Sequence, residues 1–505
     1  MLSTRLVPQS SPQTQTLGDT PCPPRGGTAP SLVQKLEKEL VMRLQAPQRY
    51  RLLQGYPMPA LMPLHPVGVD PLGAVAVDLR RPLIVGVLPH TSCAPSITGC
   101  GFCTFPHERY QASQVLATTL AVTREIESVR ERHPEWLGRK VDAVYLGGGT
   151  ANLTPAEGLS ALCTALAGNF DLQDAEITLE GAPSFFLGKN GRLLDVLRST
   201  MPTERLRLSM GIQTFNPEQI RNMGREAIGS RASVEEAVRL AQRRGFTTSG
   251  DFLINLPGQS SGDMLDDIIL ATSLGLDQIC VYHLVLFPGL GTAWSRDSSK
   301  LSQLPMLKQA RENWMKVRRG LLEHGYVQTS LTNFERASVH RSERRFLYEE
   351  CSFHPEVYDA LGFGPAALST FSDLPTQTGI KTMNEPEAAL YREHAPGEAV
   401  VRHFVYGEED LKLLYLTRHV SGLRMDRLAY RSAYGTDPVE DFRDAFAVLT
   451  SAGLVNVRPD EIELTAKGMF FADAVAGLLA SQRVQQLRLA RGAGDANRAA
   501  AHWMG

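Results

Sequence analysis

The chain has 505 residues, of which 43% are hydrophobic and 21% charged, as expected for a globular protein of two or three domains. Its 52 basic and 54 acidic residues leave a formal charge of −2, so overall charge does not favour binding to nucleic acid or to an anionic membrane. No apolar run approaches the ~20 residues of a membrane span, and the N-terminus lacks the apolar segment of a signal peptide. These features predict a cytoplasmic protein.

The first eighty residues are predicted to precede the main domain. Residues 1–30 are rich in Ser, Thr, Pro and Gln, a composition that predicts a disordered segment. Residues 31–80 are interpreted as an N-terminal helix from Ser31 to about Arg51, followed by an extended, Pro-rich lead-in.

Short apolar runs then alternate with longer segments of helical periodicity, such as 230–244. This alternation predicts a parallel α/β barrel or a doubly wound sheet over 81–300, and most polar or Gly clusters follow the predicted strands, at the edge where such folds bind ligands. The predicted strands are Leu83–Leu88, Ala143–Leu146, Ile177–Glu180, Leu206–Ile212, Phe252–Leu256 and Ile279–Leu286.

The remaining chain divides into three predicted parts. Residues 301–406 are interpreted as a region that caps the barrel and connects it to the next domain. Residues 407–480 show helices followed by a β-ribbon, the pattern of a winged-helix-like α+β domain. Its candidate recognition helix, 437–450, is acidic, so we interpret the domain as a packing module that does not read DNA. Residues 481–505 are predicted to form a flexible tail.

Three of the seven cysteines, Cys93, Cys100 and Cys103, crowd into a C-x6-C-x2-C array after the first predicted strand. Thiolates are the natural ligands of iron–sulfur clusters, and three ligands for four irons leave one iron open to a further ligand. A zinc knuckle is the alternative, with His90 or His107 as the fourth ligand. Cys22, Cys163, Cys280 and Cys351 are scattered, which does not indicate a disulfide framework.

The second predicted strand runs into Gly147-Gly148-Gly149-Thr150. A glycine run after a buried strand lets the backbone approach a ligand closely and present its N–H groups. A tight βα turn is the alternative. The position of this run directly after the cysteine-bearing unit favours a ligand site.

The order of the motifs resembles one family. CGFC, LGGGTANLTP, EITLEGAP, SMGIQTFNPEQIRNMGR and DFLINLPGQS follow one another as in the oxygen-independent coproporphyrinogen III oxidase-like (HemN/HemW-like) branch of radical S-adenosylmethionine (SAM) enzymes. GYVQTSLTNFER and ALGFGPAALS resemble later motifs of that branch, so the similarity extends from about Leu83 to Leu479. It implies a partial (β/α)6 radical SAM barrel with a C-terminal winged-helix-like domain.

The resemblance also implies site residues. Cys93, Cys100 and Cys103 match the ligands of a [4Fe–4S] cluster. The remaining matches are contacts to SAM, which an aromatic ring, backbone N–H groups, carboxylates and a guanidinium suit chemically. They are Phe102, Gly147, Gly148, Gly149, Thr150, Glu180, Gln213, Arg225 and Asp251. Taken singly, Glu180 could be an ordinary strand-end carboxylate and Arg225 a surface ion-pair partner. Because all these residues occur in the order of the family motifs, we favour a SAM-binding site.

Three features depart from the family pattern. The first cysteine gap is x6 where the family has x3, and Val85 stands where the decarboxylases carry an active-site tyrosine. The haem-chaperone relatives carry H-N-x-x-Y-W, but the matching stretch here is RRFLYE, 344–349. A chaperone role therefore lacks its natural haem ligand, although His354 lies nearby.

The resemblance implies an enzyme that reductively cleaves SAM at the cluster to a 5′-deoxyadenosyl radical. Because the chain departs from the decarboxylase pattern, we favour C-methylation or a related alkylation of an organic small molecule, with one or two SAM molecules bound. Oxidative decarboxylation of a porphyrinogen and a non-enzymatic haem chaperone are the alternatives. A small electron donor such as flavodoxin or ferredoxin is the implied partner.

Overall fold

The computed structural model describes residues 31–48, 53, 55–66, 69–74, 77–94 and 100–490. The segment predicted to be disordered, 1–30, lies outside the described residues, as does 491–505. Five of the six residues between Cys93 and Cys100, 95–99, also lie outside them. No helix in the described part is both long and apolar enough to cross a membrane.

Thirteen strands of the described chain form one mixed sheet with the order β13-β12-β11-β10-β1-β2-β4-β5-β6-β7-β9-β8, and β3 pairs with β2. Neighbours from β10 to β7 are parallel, whereas pairs beyond β10 and β7 are antiparallel. The strands are β1 (Leu83–Val87), β2 (Arg139–Leu146), β3 (Phe170–Asp171), β4 (Glu176–Gly181), β5 (Leu206–Gln213), β6 (Thr247–Ile254), β7 (Gln278–His283), β8 (Tyr326–Gln328), β9 (Asn333–Arg336), β10 (Asp359–Phe363), β11 (Leu368–Asp373), β12 (Thr378–Asn384) and β13 (Val400–Tyr406).

Helices follow the parallel strands in turn, which confirms the predicted α/β alternation. The helices of this part of the chain are α1 (Leu32–Gln45), α2 (Ala112–Arg132), α3 (Ala156–Asn169), α4 (Pro183–Phe186), α5 (Arg192–Thr200), α6 (Pro217–Asn222), α7 (Arg231–Arg243), α8 (Ser261–Ser273), α9 (Ser298–Ser302), α10 (Leu307–Glu323), α11 (Ala337–His340), α12 (Leu347–Ser352) and α13 (Ala388–Tyr391). The main apolar core lies between these helices and the sheet; Val122 and Leu162 pack there against Val144 and Leu146.

All six predicted strands are present, but several begin earlier than the apolar runs indicate. The run Phe252–Leu256 overlaps β6, which starts at Thr247 and ends at Ile254, two residues before the predicted end. Of the added residues, Thr247, Ser249 and Asp251 lie on the face away from the main core, because alternate residues of a strand point to opposite faces. The region 301–406 contributes β8 to β13 to the same sheet.

The C-terminal part has the predicted winged-helix-like order of elements. A three-stranded antiparallel sheet, β14-β16-β15, accompanies its helices. The predicted recognition segment forms two helices, and its Asp437 pairs with Arg427 and Arg431 of the same module. The elements are α14 (Glu408–Ser421), β14 (Arg424–Asp426), α15 (Arg427–Tyr434), α16 (Pro438–Asp441), α17 (Arg443–Ser451), β15 (Val455–Val457), β16 (Glu461–Leu464), α18 (Ala466–Phe470) and α19 (Ala472–Leu479).

Both ends of the described chain pack on this module. Within the predicted flexible tail, residues 481–490 are helical, and Arg483 forms an ion pair with Asp410. The Ser481 hydroxyl donates a hydrogen bond to Glu39 of α1. Helix α1, which Ser31 caps, therefore lies against the C-terminal elements.

Candidate functional site

The carboxyl ends of the parallel strands bring the predicted site residues to one edge of the sheet. The segment after β1 lies beside the segment after β2, because Gly147 N–H donates to the Val87 carbonyl at 2.9 Å and Thr150 N–H to the Ser92 carbonyl at 3.1 Å. We call the face of the sheet opposite the main apolar core its inner face; it carries Tyr145, Glu180, Ser209, Asp251 and Cys280, and α12 packs on it at β1 and β2.

The three cysteines of the array are partly exposed and lie close enough to influence one another. Burial raises the pKa of the Cys93 thiol to about 12, and the neighbouring Cys103 and Cys100 sulfurs raise it further. Burial also raises the pKa of Cys103. Thiolates at these positions therefore require a cation beside them, which cluster iron supplies.

The spread of the sulfurs argues against the zinc alternative. A tetrahedral zinc ion bonded to sulfur at 2.3 Å needs sulfur atoms about 3.8 Å apart. The three cysteine sulfurs do not all lie within 4.8 Å of one another, nor does His90 or His107 complete such a group among the described residues. This spacing disfavours a single ion and leaves the larger [4Fe–4S] cluster as the expected occupant.

The turn between Cys100 and Cys103 packs on the segment that follows β7. Gly101 has φ of +80°, and a Cβ there would lie 2.1 Å from Nε1 of Trp294. The backbone N–H of Trp294 donates a hydrogen bond to the Gly101 carbonyl at 2.9 Å. The indole ring of Trp294 meets the Phe102 ring edge-on, with centroids 5.6 Å apart. Phe102 is thus held beside the cysteines by a tryptophan that the sequence motifs did not single out.

The glycine run permits a close approach that side chains would block. Gly148 and Gly149 have φ of +88° and +54°, and a Cβ on Gly149 would lie 2.7 Å from the Ser92 carbonyl oxygen. A Cβ on Gly147 would lie 2.6 Å from Oε2 of Glu180. The Thr150 side chain hydrogen bonds to Cys93. The run therefore joins the cysteine segment to the inner-face carboxylates.

Two carboxyl groups lie together on the inner face, below the cysteines. Burial, and then the nearby charge of Asp251, raises the pKa of Glu180 to about 7, although a hydrogen bond with Tyr145 opposes the shift. Burial likewise raises the pKa of Asp251, which accepts a hydrogen bond from Ser209 at 3.3 Å. A cationic ligand between these two acids would relieve their mutual repulsion.

Arg225 and Gln213 complete the predicted set at the end of β5. Arg225 donates from Nη1 to Cys100 Sγ at 3.3 Å and from Nη2 to the Gly211 carbonyl at 2.5 Å, while its buried Nε has no partner among the described residues. Gln213 has φ of +74° at an irregularity in the β5–β6 pairing. Such strain in a residue other than glycine is typical of functional sites.

The argument from Val85 needs correction. Val85 packs in the apolar core between sheet and helices with Leu83 and Val87, because residues two apart on a strand share a face. The inner-face residue is Gly86, and a Cβ there would lie 2.9 Å from the hydroxyl of Tyr348. A tyrosine on α12 thus occupies this space, and it belongs to the 344–349 stretch that was compared with the haem-chaperone motif.

Comparisons with known proteins agree with this geometry. Residues 97–271 match the model of the radical SAM superfamily. The oxygen-independent coproporphyrinogen III oxidase of Salmonella typhimurium is 27% identical over 414 residues, which cover 79% of this chain and 85% of that protein. The haem chaperone HemW of Lactococcus lactis is 27% identical over 238 residues, 46% of this chain and 58% of that protein.

The fold has a counterpart among solved structures. Coproporphyrinogen III oxidase (HemN) from Escherichia coli, described as a radical SAM enzyme, superposes with a TM-score of 0.66 at 24% identity, over 81% of this chain and 93% of that one. Radical SAM proteins use a [4Fe–4S] cluster and SAM, for which the donor set described above is suited. The chain therefore contains a radical SAM domain over residues 97–271 and is a homologue of the oxygen-independent coproporphyrinogen III oxidases and of HemW.

Proposed function

We propose that the protein is an enzyme that reductively cleaves SAM at a [4Fe–4S] cluster held by Cys93, Cys100 and Cys103. The observation that carries the proposal is the meeting of these cysteines with the glycine run and two buried carboxyl groups at one sheet edge. When bound, the cluster supplies the electron that breaks a C–S bond of SAM, giving methionine and a 5′-deoxyadenosyl radical.

The chain's own residues bind and orient SAM in this proposal. The backbone of Gly147–Thr150 contacts the amino end of its methionine portion, whose N–H groups suit carbonyl acceptors, and Phe102 contacts SAM beside the cysteines. Glu180 and Asp251 suit an ammonium group or ribose hydroxyls. Arg225 and Gln213 complete the polar contacts, and the guanidinium suits a carboxylate. Thr150 and Arg225 are buried and Glu180, Gln213 and Asp251 are half-buried, so bound SAM would exclude most of the remaining water, which favours controlled radical chemistry.

For the substrate step, we propose C-methylation or a related alkylation of a small organic molecule. The support is the departure from the decarboxylase pattern at two places. The gap between the first two cysteines is three residues longer, and β1 carries no tyrosine at any position. Positioning errors of even ~1 Å cost about 100-fold in rate, so a reshaped pocket disfavours the original substrate.

Contacts of the 344–349 stretch favour an enzyme over a haem chaperone. Arg344 donates a hydrogen bond to Asp277 at 2.8 Å, and the Arg207 guanidinium lies 3.8 Å from the centre of the Phe346 ring. Glu349 accepts a hydrogen bond from Ser330. These side chains, which replace the H-N-x-x-Y-W segment, are engaged within the protein.

The test is an anaerobic turnover assay with dithionite and methyl-labelled SAM. The reconstituted protein should release 5′-deoxyadenosine, and a variant lacking all three cysteines should not. Coproporphyrinogen III should not be decarboxylated, whereas a true substrate should gain the label and yield S-adenosylhomocysteine as well. Release of carbon dioxide with unlabelled product would support the decarboxylase alternative. A Soret band on adding haem, without SAM cleavage, would support the chaperone.

A further inference from the structure

Three metal-binding side chains converge at a place remote from the cysteine array. His354 and Glu356 lie in the segment between α12 and β10, and His419 lies on α14 of the C-terminal module. One ligand atom from each lies within 4.8 Å of the others. His354 Nδ1 is 2.9 Å from Glu356 Oε1, and His419 Nε2 is 3.3 Å from Glu356 Oε2. Ligands 2.1 Å from a tetrahedral metal are about 3.4 Å apart, so these spacings suit one ion.

The hydrogen bonding of His419 provides a place for a positive charge between its ring and the Glu356 carboxylate, either as a second ring proton or as a bound metal ion. Its Nδ1 faces the Arg424 carbonyl oxygen at 3.3 Å, and its Nε2 faces the Glu356 carboxylate at 3.3 Å. A neutral imidazole has a single N–H, so one of these nitrogens faces an acceptor without a proton. With Nδ1–H donating to the carbonyl, the lone pair of Nε2 is directed at the carboxylate, and a metal ion between them satisfies both groups.

Protonation of both imidazole rings is less favourable electrostatically than the binding of one metal ion between them. The rings of His354 and His419 lie edge to face with centroids 4.9 Å apart, so two protonated rings would repel each other. A divalent ion bound by both neutral rings and the carboxylate removes that repulsion.

The framework around the three side chains is rigid. Arg81 donates hydrogen bonds to the carbonyl oxygens of Pro355 and Glu356 at 2.6 and 2.7 Å, which fixes the ligand-bearing segment. The ring of His419 stacks on Tyr415 with centroids 3.8 Å apart. Outer contacts that fix ligand orientation are typical of metal sites in proteins.

The site is closed on one flank and open on the other. The side chains of His419 and Glu356 are 4% and 8% exposed, whereas that of His354 is 42% exposed. An ion can therefore enter past His354, and water can supply the remaining ligand.

We propose that His354, Glu356 and His419 bind one divalent late transition-metal ion, with Zn²⁺ as the best match to two imidazoles and one carboxylate. The ion links the segment before β10 to α14 and so fastens the C-terminal module to the main sheet. The proposal does not depend on the proposed function, because none of these residues belongs to the cysteine site.

The test uses the full-length chain with Cys93, Cys100 and Cys103 replaced by alanine, so that the cluster ligands cannot hold the probe. After chelator treatment and dialysis, this protein should bind one equivalent of Zn²⁺ in titration calorimetry, and the midpoint of thermal unfolding should rise. Co²⁺ in place of Zn²⁺ should give the visible absorption of a low-symmetry nitrogen–oxygen site.

Variants then locate the ion. His419→Gln and Glu356→Gln should each weaken Zn²⁺ binding by more than about 100-fold, since even loss of an outer contact costs 10- to 100-fold. His354→Gln changes an exposed residue and keeps the proposal testable should the buried variants fail to fold. His340→Gln is the matched control, because His340 pairs with Glu335 alone and should leave binding unchanged. Absence of stoichiometric binding, or equal binding by His354→Gln, would overturn the proposal.

Discussion

Arg225 donates a hydrogen bond from Nη1 to Sγ of Cys100 at 3.3 Å and thereby ties the cysteine turn to β5, whose Gly211 carbonyl accepts from Nη2. The third guanidinium nitrogen, Nε, is buried and has no partner among the described residues. The same side chain thus contacts a proposed cluster ligand and the strand that ends at Gln213, a proposed SAM contact.

Arg225→Gln should leave the iron content unchanged and weaken SAM binding. Loss of a hydrogen bond to a charged partner costs about 1.5–3 kcal/mol, roughly 10- to 150-fold in the dissociation constant. Binding is measured by anaerobic equilibrium dialysis with labelled SAM. Arg221→Gln, on the exposed side of α6, is the matched control. If Arg225→Gln loses iron but its remaining cluster-containing protein binds SAM with unchanged affinity, Arg225 supports the cluster and does not contact SAM.

Alanine substitution should distinguish the cysteines that bind the cluster from those that do not. Cys93→Ala, Cys100→Ala and Cys103→Ala should each abolish the broad visible absorbance and lower iron from about four per chain. Cys163→Ala should retain both, since Cys163 is a fully buried core residue on α3. Iron and inorganic sulfide are assayed after anaerobic reconstitution. Full iron content in the triple cysteine variant would rule out the proposed ligand set.

Asp251→Asn should preserve the cluster and weaken SAM binding. The substitution keeps the shape of the side chain but removes the charge that faces Glu180 and one of the two oxygens that can accept from Ser209. We expect a loss of about 10- to 150-fold in affinity, by the same estimate for a charged hydrogen bond. Asp266→Asn, an exposed acid on α8, provides the control. An unchanged dissociation constant would make Asp251 a purely structural residue.

Glu349 should make stability depend on pH. Burial raises the pKa of Glu349 from 4.5 to about 7, despite the opposing hydrogen bond from Ser330. A carboxyl whose pKa is higher in the folded state contributes stability that is full below pH 4.5 and is lost as pH rises through about 7. The upper limit of this contribution to the free energy of unfolding is about 3 kcal/mol.

Glu349→Gln should therefore flatten the fall of the thermal midpoint between pH 5 and pH 8, since the amide does not ionise. Glu350→Gln is the matched control, because Glu350 is the exposed neighbour on the same helix. Parallel pH profiles for the wild type and Glu349→Gln would show that this carboxyl does not titrate differently in the folded protein.

The local sequence was sufficient to predict the alternating strands and helices and to select residues that the structure brings together at one sheet edge. Apolar runs such as Leu206–Ile212 identify buried strands, and C-x6-C-x2-C followed by Gly147–Thr150 identifies ligand-binding turns, because those signals lie within a few residues. The strand ends were less predictable. Thr247 to Asp251 belong to β6 although they are polar, since the inner face of this sheet is not apolar.

Only the tertiary structure decided which side chains meet across distant parts of the chain. Val85 faces the helices and Gly86 the inner face, where the Tyr348 hydroxyl, more than 250 residues away, fills the space. Trp294 reaches the cysteine turn, and His419 meets His354 and Glu356, through the packing of separate elements. Local propensity and motif spacing do not predict such contacts, because the contacts arise from the way the sheet, α12 and α14 pack together.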